Sequence, residues 1–548
     1  MSASRKCVLE IDKMTGAKYP PGEESGSASS IPSVVWDGKT YTLTEIYSKA
    51  GLDLEVRISD QNIANLGDSY TESDLIDLMT QNSARARSSG ELDKMYAYLL
   101  IVNGLLDPQD PDDPGPSNNI LGVMFSSKRE GTAVFYKQSN INREPISFLR
   151  TSAHEVGHQF NLHHRDGSAS TINGPQGRQR KYTIMNQTLI IMKYGGTWPN
   201  GVSLDFGPLE SAHLSGHPEG TVAPGASGLG ECTPDHEGWH EEAPSRLGVN
   251  PRDLTSIDMV PSETEKSEKV DFEIKMGKKE YLPGQPCIAY LRLTNQGSRS
   301  VSIIDRLDPR YDAVKFYIKK DGKEKEDLFV PYSYIEFIPQ EKTLNPSESM
   351  HARAKIFYGS NGYSFPEPGT YKVRASYHGI THGLGEIINS NTIDVTIRSP
   401  KDRDEEEQVK LIKGDQQALF FLFEGGDRLT DGINQLTKLA KEYPNSTLGS
   451  YANAVLGLQW SKEFKDIKNN RVREPDHEKA SSFLKSAKDN VSGYWADRTF
   501  LNLAEIHNKA GKQNLRKNVL DEYINKFEQD SKNTNGIDRA KKILAEET

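Results

Sequence analysis

The chain has 548 residues, 26% of them charged and 35% hydrophobic, which is material for three or four domains with cores of their own. A net charge of −10 with no basic stripe argues against a nucleic-acid partner. The longest apolar runs, Ala97 to Val102 and Ala418 to Phe423, are far too short to span a bilayer.

The N-terminus, MSASRKCVLEIDKMTG, has no continuous apolar stretch of the kind a secretory signal needs. The expected location is therefore the cytoplasm, or outside the cell if a leader is missing from this chain. Cys7, Cys232 and Cys287 are few and far apart, which argues against a disulfide framework and makes Cys7 a free thiol.

Residues 1–33 end in a Pro/Gly/Ser-rich run and read as a flexible segment. Beyond them the pattern is mixed. Tyr41 to Ala50 reads as a helix and Leu52 to Ile58 as an alternating strand. Thr71 to Arg87 opens with the capping chemistry of Thr71-Glu72-Ser73-Asp74 and continues as a helix carrying Leu75, Leu78 and Met79. Met95 to Leu106 reads as a buried strand, and Asp107 to Asn119 as a loop. Asn119 to Ser126 and Thr132 to Gln138 read as two strands joined by a charged turn.

The stretch Pro145 to Asp166 carries the chemistry. Pro145 suits a first helical position. Ile146, Leu149, Ala153, Val156 and Phe160 recur at three- and four-residue steps and form an apolar stripe. His154 and His158 stand one turn apart, within roughly 40° around the helix axis. Two imidazoles so placed can grip one zinc ion, with Glu155 beside them to hold a water and take its proton. A catalytic zinc usually has three protein ligands. A straight helix would carry the chain past the metal, so it must turn after His158. Asn161 lies midway and tolerates the left-handed conformation such a turn needs. That turn returns His164 as third ligand, with His163 as the alternative. Hydrolysis further requires that water reach Glu155.

The run HEVGHQFNLHH resembles the H-E-x-x-H-x-x-G-x-x-H pattern of the metzincin clan of zinc peptidases, with Asn161 where the clan has Gly. The resemblance covers roughly residues 35 to 225 and implies an α+β catalytic domain, here 34–225. It implies zinc held by His154, His158 and His164, with Glu155 as general base. It also implies a methionine turn below the metal, for which Met185 and Met192 are candidates; Met185 is favoured as the nearer to His164. Met192 is followed two residues on by Tyr194, as in members where a Tyr also touches zinc. In that clan the substrate backbone adds to an edge strand, which would here be Ile120 to Ser126. The expected activity is hydrolysis of peptide bonds in a protein or peptide substrate.

Two other readings stand beside this one. In the first, the chain is a catalytically inactive binding protein that works through its rear domains. In the second it is a peptidase of another clan, with Glu210 as third ligand. A second copy of the motif, His236-Glu237-Gly238-Trp239-His240, has Pro234 before it, Gly238 within it and Pro244 after it, and reads as a loop. His213 and His217 read as a surface pair near a helix end.

Residues 226–268 read as a linker. Between 269 and 400, seven alternating runs separated by turn signals suggest an immunoglobulin-like β-sandwich. From 405 to 548 the pattern is helical. The run LTKLAKEYPNSTLGSYANAVLG, with a weaker copy in ADRTFLNLAEIHNKAG, resembles a tetratricopeptide repeat. The expected fold class is thus multidomain: an α+β metzincin-like domain, a β-sandwich and an all-α repeat domain. Either rear domain offers a surface for a protein partner.

Overall fold

The computed structural model describes residues 5–17, 33–36, 38–87, 95–107, 117, 119–138, 141, 144–164, 171–174, 177–180, 183–188, 191, 198, 203–229, 270–379, 387–530 and 534–545. It is a mixed α/β, multidomain structure. Buried apolar side chains from Cys7 to Ala540 form one continuous cluster across its regions. No helix among the described residues is long and apolar enough to cross a membrane.

The N-terminal region is built on a mixed sheet. Its first strand, β1 (Arg5–Met14), lies within the segment expected to be flexible, and that expectation is corrected here: β1 is an interior strand, parallel to β2 (Leu52–Ile63) on one side and β3 (Tyr96–Val102) on the other. Two acids disguise it. Glu10 and Asp12 break the apolar run, yet both are buried and partnered. Glu10 accepts hydrogen bonds from the Tyr96 hydroxyl and the Ala84 amide, both at 2.8 Å, and Asp12 accepts from the Tyr98 hydroxyl at 2.6 Å. A buried carboxylate so satisfied is compatible with a central strand.

Helix α1 (Leu43–Lys49) starts where the Thr42 hydroxyl accepts from the Glu45 amide. Helix α2 (Glu72–Asn82) starts with a reciprocal capping box between Thr71 and Asp74. Strand β4 (Ile120–Phe125) runs antiparallel to β5 (Gly131–Phe135), which in turn is parallel to β3.

The sheet does not end at β4. A sixth strand, β6 (Tyr334–Phe337), arrives from more than two hundred residues downstream and pairs antiparallel with β4, giving the order β6-β4-β5-β3-β1-β2. The register sets Tyr334 opposite Met124, Ile335 opposite Val123 and Glu336 opposite Gly122, with a bulge before Phe337. The run YIEF between Pro331 and Pro339 carries a strand signal, but all four residues are buried, so the usual in-and-out alternation is missing.

All seven runs read as strands in the middle region are strands. One antiparallel sheet contains Val270–Met276, Ile288–Asn295 and Ser349–Lys355. A second contains Val314–Lys320, Gly369–Tyr377 and Ile393–Ile397. Phe272 of the first meets Tyr377 of the second, ring centroids 6.1 Å apart. The C-terminal region is a succession of helices from Arg403–Ile412 to Thr534–Ala545, broken by a small hairpin, Phe464–Asp466 with Arg471–Arg473.

Ion pairs tie these regions together. Three acids of α2 reach both of the others: Glu72 meets Arg310 at 2.9 Å, Asp77 meets Arg428 at 2.5 Å and Asp74 meets Lys465 at 3.9 Å. Glu424 is buried among Arg498 at 2.6 Å, Lys355 at 3.2 Å and Lys462 at 3.5 Å. Burial alone would raise its pKa, but these cations outweigh burial and hold the carboxyl well below the usual range. A depressed folded-state pKa stabilises the fold above the unfolded pKa of about 4.3, and that stability is lost as pH falls through the folded value. Glu424→Ala is therefore expected to destabilise the chain by about 3–5 kcal/mol at pH 7. The gap from wild type should shrink in acid, as read by denaturant unfolding at both pH values.

Candidate metal centre

Helix α3 (Pro145–Gln159) carries the first motif across the sheet, and every residue from Ile146 to Gln159 is buried. Its polar residues explain how so polar a helix can be buried. Gln159 clamps the helix to two strands: its amide group donates to Tyr98 O and Thr132 Oγ1, both at 2.8 Å, and its carbonyl accepts from Tyr98 N at 2.9 Å. Tyr47 donates to Ala153 O at 2.8 Å.

The helix stops as its sequence suggests. Asn161 has φ of 64°. Leu162 N donates to Gly157 O and Asn161 N to His158 O, the paired bonds of a Schellman cap with Asn in the left-handed place. The Asn161 amide then donates to Thr221 O at 3.0 Å, which anchors the turn.

That turn brings three rings together. His164 Nε2 is 3.2 Å from His154 Nε2 and 2.9 Å from His158 Nε2. Three nitrogens bound to one zinc at about 2.0–2.1 Å in tetrahedral geometry would be about 3.3 Å apart. The other ring nitrogens are engaged. His154 Nδ1 meets Ile184 O at 2.7 Å, His158 Nδ1 meets Leu162 O at 2.7 Å, and His164 Nδ1 meets Asp312 Oδ2 at 3.2 Å. Each contact directs Nε2 inward. Burial, with the neighbouring positive charges second, pushes the pKa of His154 and His158 well down, which favours the neutral ring that coordination needs. The donor set fits zinc.

His164, not His163, joins this cluster; the His163 charge bears instead on His213. Among the described residues, the other group with metal-ligand spacing is His154, Glu155 and Glu336. Glu210 takes no part: it accepts from the Thr183 hydroxyl at 2.9 Å. His213 and His217, read as a surface pair, are in fact buried, and His213 Nε2 lies 3.1 Å from Phe160 O at the end of α3. Cys7 points its thiol at Asp53 O, 3.6 Å away, and is outside the cluster. Cys232, Met192, Tyr194 and the second motif at residues 236–240 lie outside the described residues.

Two glycines make room for the site. A Cβ on Gly157 would come 2.7 Å from Met185 Sδ, so Met185 packs directly against α3 between the two histidines. A Cβ on Gly122 of β4 would come 2.7 Å from both Cγ and Oε1 of Glu155. Glu155 is fully buried, and neither oxygen has a hydrogen-bond partner of normal geometry among the described residues. Burial first, then the negative charge of Glu336, raises its pKa well above the carboxylate range, against the pull of Arg150 and the Glu336 amide. In this conformation water does not reach it.

What covers Glu155 is β6. The Tyr334 ring stacks on His158 at 5.8 Å between centroids and meets His164 edge-on at 5.1 Å. Glu336 is ion-paired, fully buried, with Arg150, which also donates to Ile184 O at 3.0 Å and to Asn186 O. Sequence reasoning found neither Tyr334, Glu336, Arg150 nor Asp312. The single signal available was the Tyr-Ile-Glu-Phe run itself; nothing in it reports which sheet it joins.

Asp312 occupies a left-handed position, φ 58°, at the end of a short 3-10 turn in the middle region. As the partner of His164 Nδ1 it orients that ring. Asp312→Ala is expected to weaken zinc binding about 10–100-fold, measured by competition with a chromophoric chelator.

No family model and no curated protein matches the chain. Among solved structures, Spo0M, a sporulation control protein from Bacillus subtilis, matches at 11% identity over 26% of this chain and 54% of its own, with a TM-score of 0.17. A β-glucosidase from Listeria innocua matches at 12% identity over 72% of this chain and 47% of its own, TM-score 0.17. A CARDB domain from Pyrococcus furiosus matches at 12% identity over 24% of this chain and 96% of its own, TM-score 0.14. The chain thus spans about half the length of the first two. Likenesses at these scores carry no argument about fold or activity.

Proposed function

We propose that the chain is a zinc-dependent endopeptidase acting on protein substrates. In this reading the N-terminal region is a metzincin-like α+β domain, the middle region an immunoglobulin-like sandwich and the C-terminal region a tetratricopeptide-like array. The observation that carries the reading is the convergence of three Nε2 atoms, from His154, His158 and His164, beside Glu155 on a helix floored by Met185.

Zinc held by the three histidines would supply a Lewis acid for a scissile carbonyl and acidify a nearby water. The chain's own groups do the rest. Once β6 is displaced and water reaches it, Glu155 takes a proton from the attacking water onto a carboxylate oxygen and passes it to the leaving amine nitrogen. The carbonyls of Ile184 and Leu162, with Asp312, hold the three rings. Met185 gives the ring cluster an apolar floor and takes no chemical part.

One observation favours a second reading. Glu155 is buried under β6, and His164 is tied to Asp312 of the middle region, as a metal clasp joining regions of a binding protein would require. Hydrolysis of denatured casein separates the two. The full chain carrying one equivalent of zinc, or a variant with β6 loosened by Ile335→Lys, is expected to cleave it. A chelator should abolish cleavage and added zinc restore it. Zinc-loaded protein inert in both forms would leave the binding-protein reading.

A further inference from the structure

The free edge of β4 is the place where an extended polypeptide would add to this sheet, and β6 is an extended polypeptide already added there. Its alternate side chains face the centre. Tyr334 covers His158 and His164; Glu336, two residues on, reaches Arg150 and comes within metal-ligand spacing of Glu155 and His154. The strand has no other partner in the ladder: among the described residues it pairs with β4 alone, and neither sheet of the middle region includes it. It lies on an excursion of the chain between the short strands Asp327–Leu328 and Glu341–Leu344, which pair elsewhere. Its departure would therefore leave every ladder of the middle region intact.

We propose that Tyr334–Phe337 is a built-in pseudo-substrate: it holds the peptidase latent, and its Glu336–Arg150 contact marks an acidic-residue subsite for the polypeptides that replace it. The proposal rests on the peptidase reading. Arg150 supplies the selectivity. It is fully buried, and once Glu336 leaves, its charge keeps the Ile184 and Asn186 carbonyls but loses its ion-pair partner. An uncompensated buried charge is costly, so an incoming chain that brings a carboxylate to the same place is favoured over one that does not.

The test locks and then replaces the strand in the full chain. Val123 and Ile335 face each other directly in the antiparallel pair. Opposed residues there have Cα atoms about 4.5–5.5 Å apart, within disulfide range. Val123→Cys with Ile335→Cys, loaded with zinc, is expected to cleave denatured casein about tenfold more slowly oxidised than reduced, because the oxidised form has no open population. Cross-linking is confirmed by mass, and Val123→Cys alone should show no such difference. In the second arm, a peptide spanning residues 331–339 should inhibit the Ile335→Lys chain, and the same peptide with Glu336→Lys should inhibit about tenfold less. Equal rates for the oxidised and reduced forms would overturn latency while leaving the peptidase reading in place. Equal inhibition by both peptides would overturn the acidic subsite. Zinc-loaded protein that cleaves nothing in either the reduced or the Ile335→Lys form would remove the peptidase reading, and this inference with it.

Discussion

Glu155→Gln is expected to lower kcat on denatured casein by about 10²–10⁴-fold, the usual contribution of a positioned general base, while zinc content stays that of the parent. The geometry makes this substitution unusually clean. Gly122 makes room for the Glu155 side chain, since a Cβ there would come 2.7 Å from its Cγ and Oε1, and the amide has the same shape as the carboxyl. None of the three ring nitrogens is bonded to Glu155, so their contacts to Ile184, Leu162 and Asp312 are untouched. An amide cannot take the proton. It also carries no charge, and a charge at this fully buried position, which has no hydrogen-bond partner of normal geometry among the described residues, is disfavoured by burial. The variant should accordingly melt no lower than its parent. Cleavage at the parental rate would take the general-base role from Glu155. A loss of zinc along with the activity would show that the carboxylate holds the metal. The comparison is made in the Ile335→Lys background, where β6 does not limit access.

What the sequence could reveal about this site follows the range of the interactions involved. Everything set by near neighbours was legible. His154 and His158 share a helix face, Asn161 supplies the left-handed cap, and His164 returns because the cap is there. The strands of the middle region were legible too, since their alternation is a local property of half-buried strands. Two kinds of feature were hidden. The first was burial on both faces: β1 carries Glu10 and Asp12 in mid-strand, and partners some seventy to ninety residues later, the Ala84 amide and the hydroxyls of Tyr96 and Tyr98, make those acids tolerable. The second was the destination of a strand. A run such as Tyr-Ile-Glu-Phe announces extended backbone, but its partner β4 lies in another region, and no composition or periodicity encodes that choice. Tyr334 and Glu336 were missed for this reason, and Asp312, at the end of a 3-10 turn, because its partner His164 lies in another region too. They complete the site from the part of the chain in which nothing looked catalytic.

The composition of the ligand set gives the second large effect. His164→Ala should weaken zinc binding by at least about 100-fold, since loss of an orienting partner alone commonly costs 10–100-fold and loss of a ligand costs more. Glu210→Ala, the change that would matter if a downstream acid were the third ligand, should leave zinc affinity where it was. The structure separates the two residues. The His164 Nε2 lies 2.9 and 3.2 Å from its counterparts on α3, whereas Glu210 Oε1 is taken by the Thr183 hydroxyl. His164 also links two regions through Asp312, so its removal should lower thermal stability in the zinc-loaded protein, where the metal joins that link to α3. Chelator competition reads the affinities and a melt with and without zinc reads the coupling. Retained zinc in His164→Ala together with lost zinc in Glu210→Ala would reverse the assignment and place the third ligand on the helix that begins at Pro208.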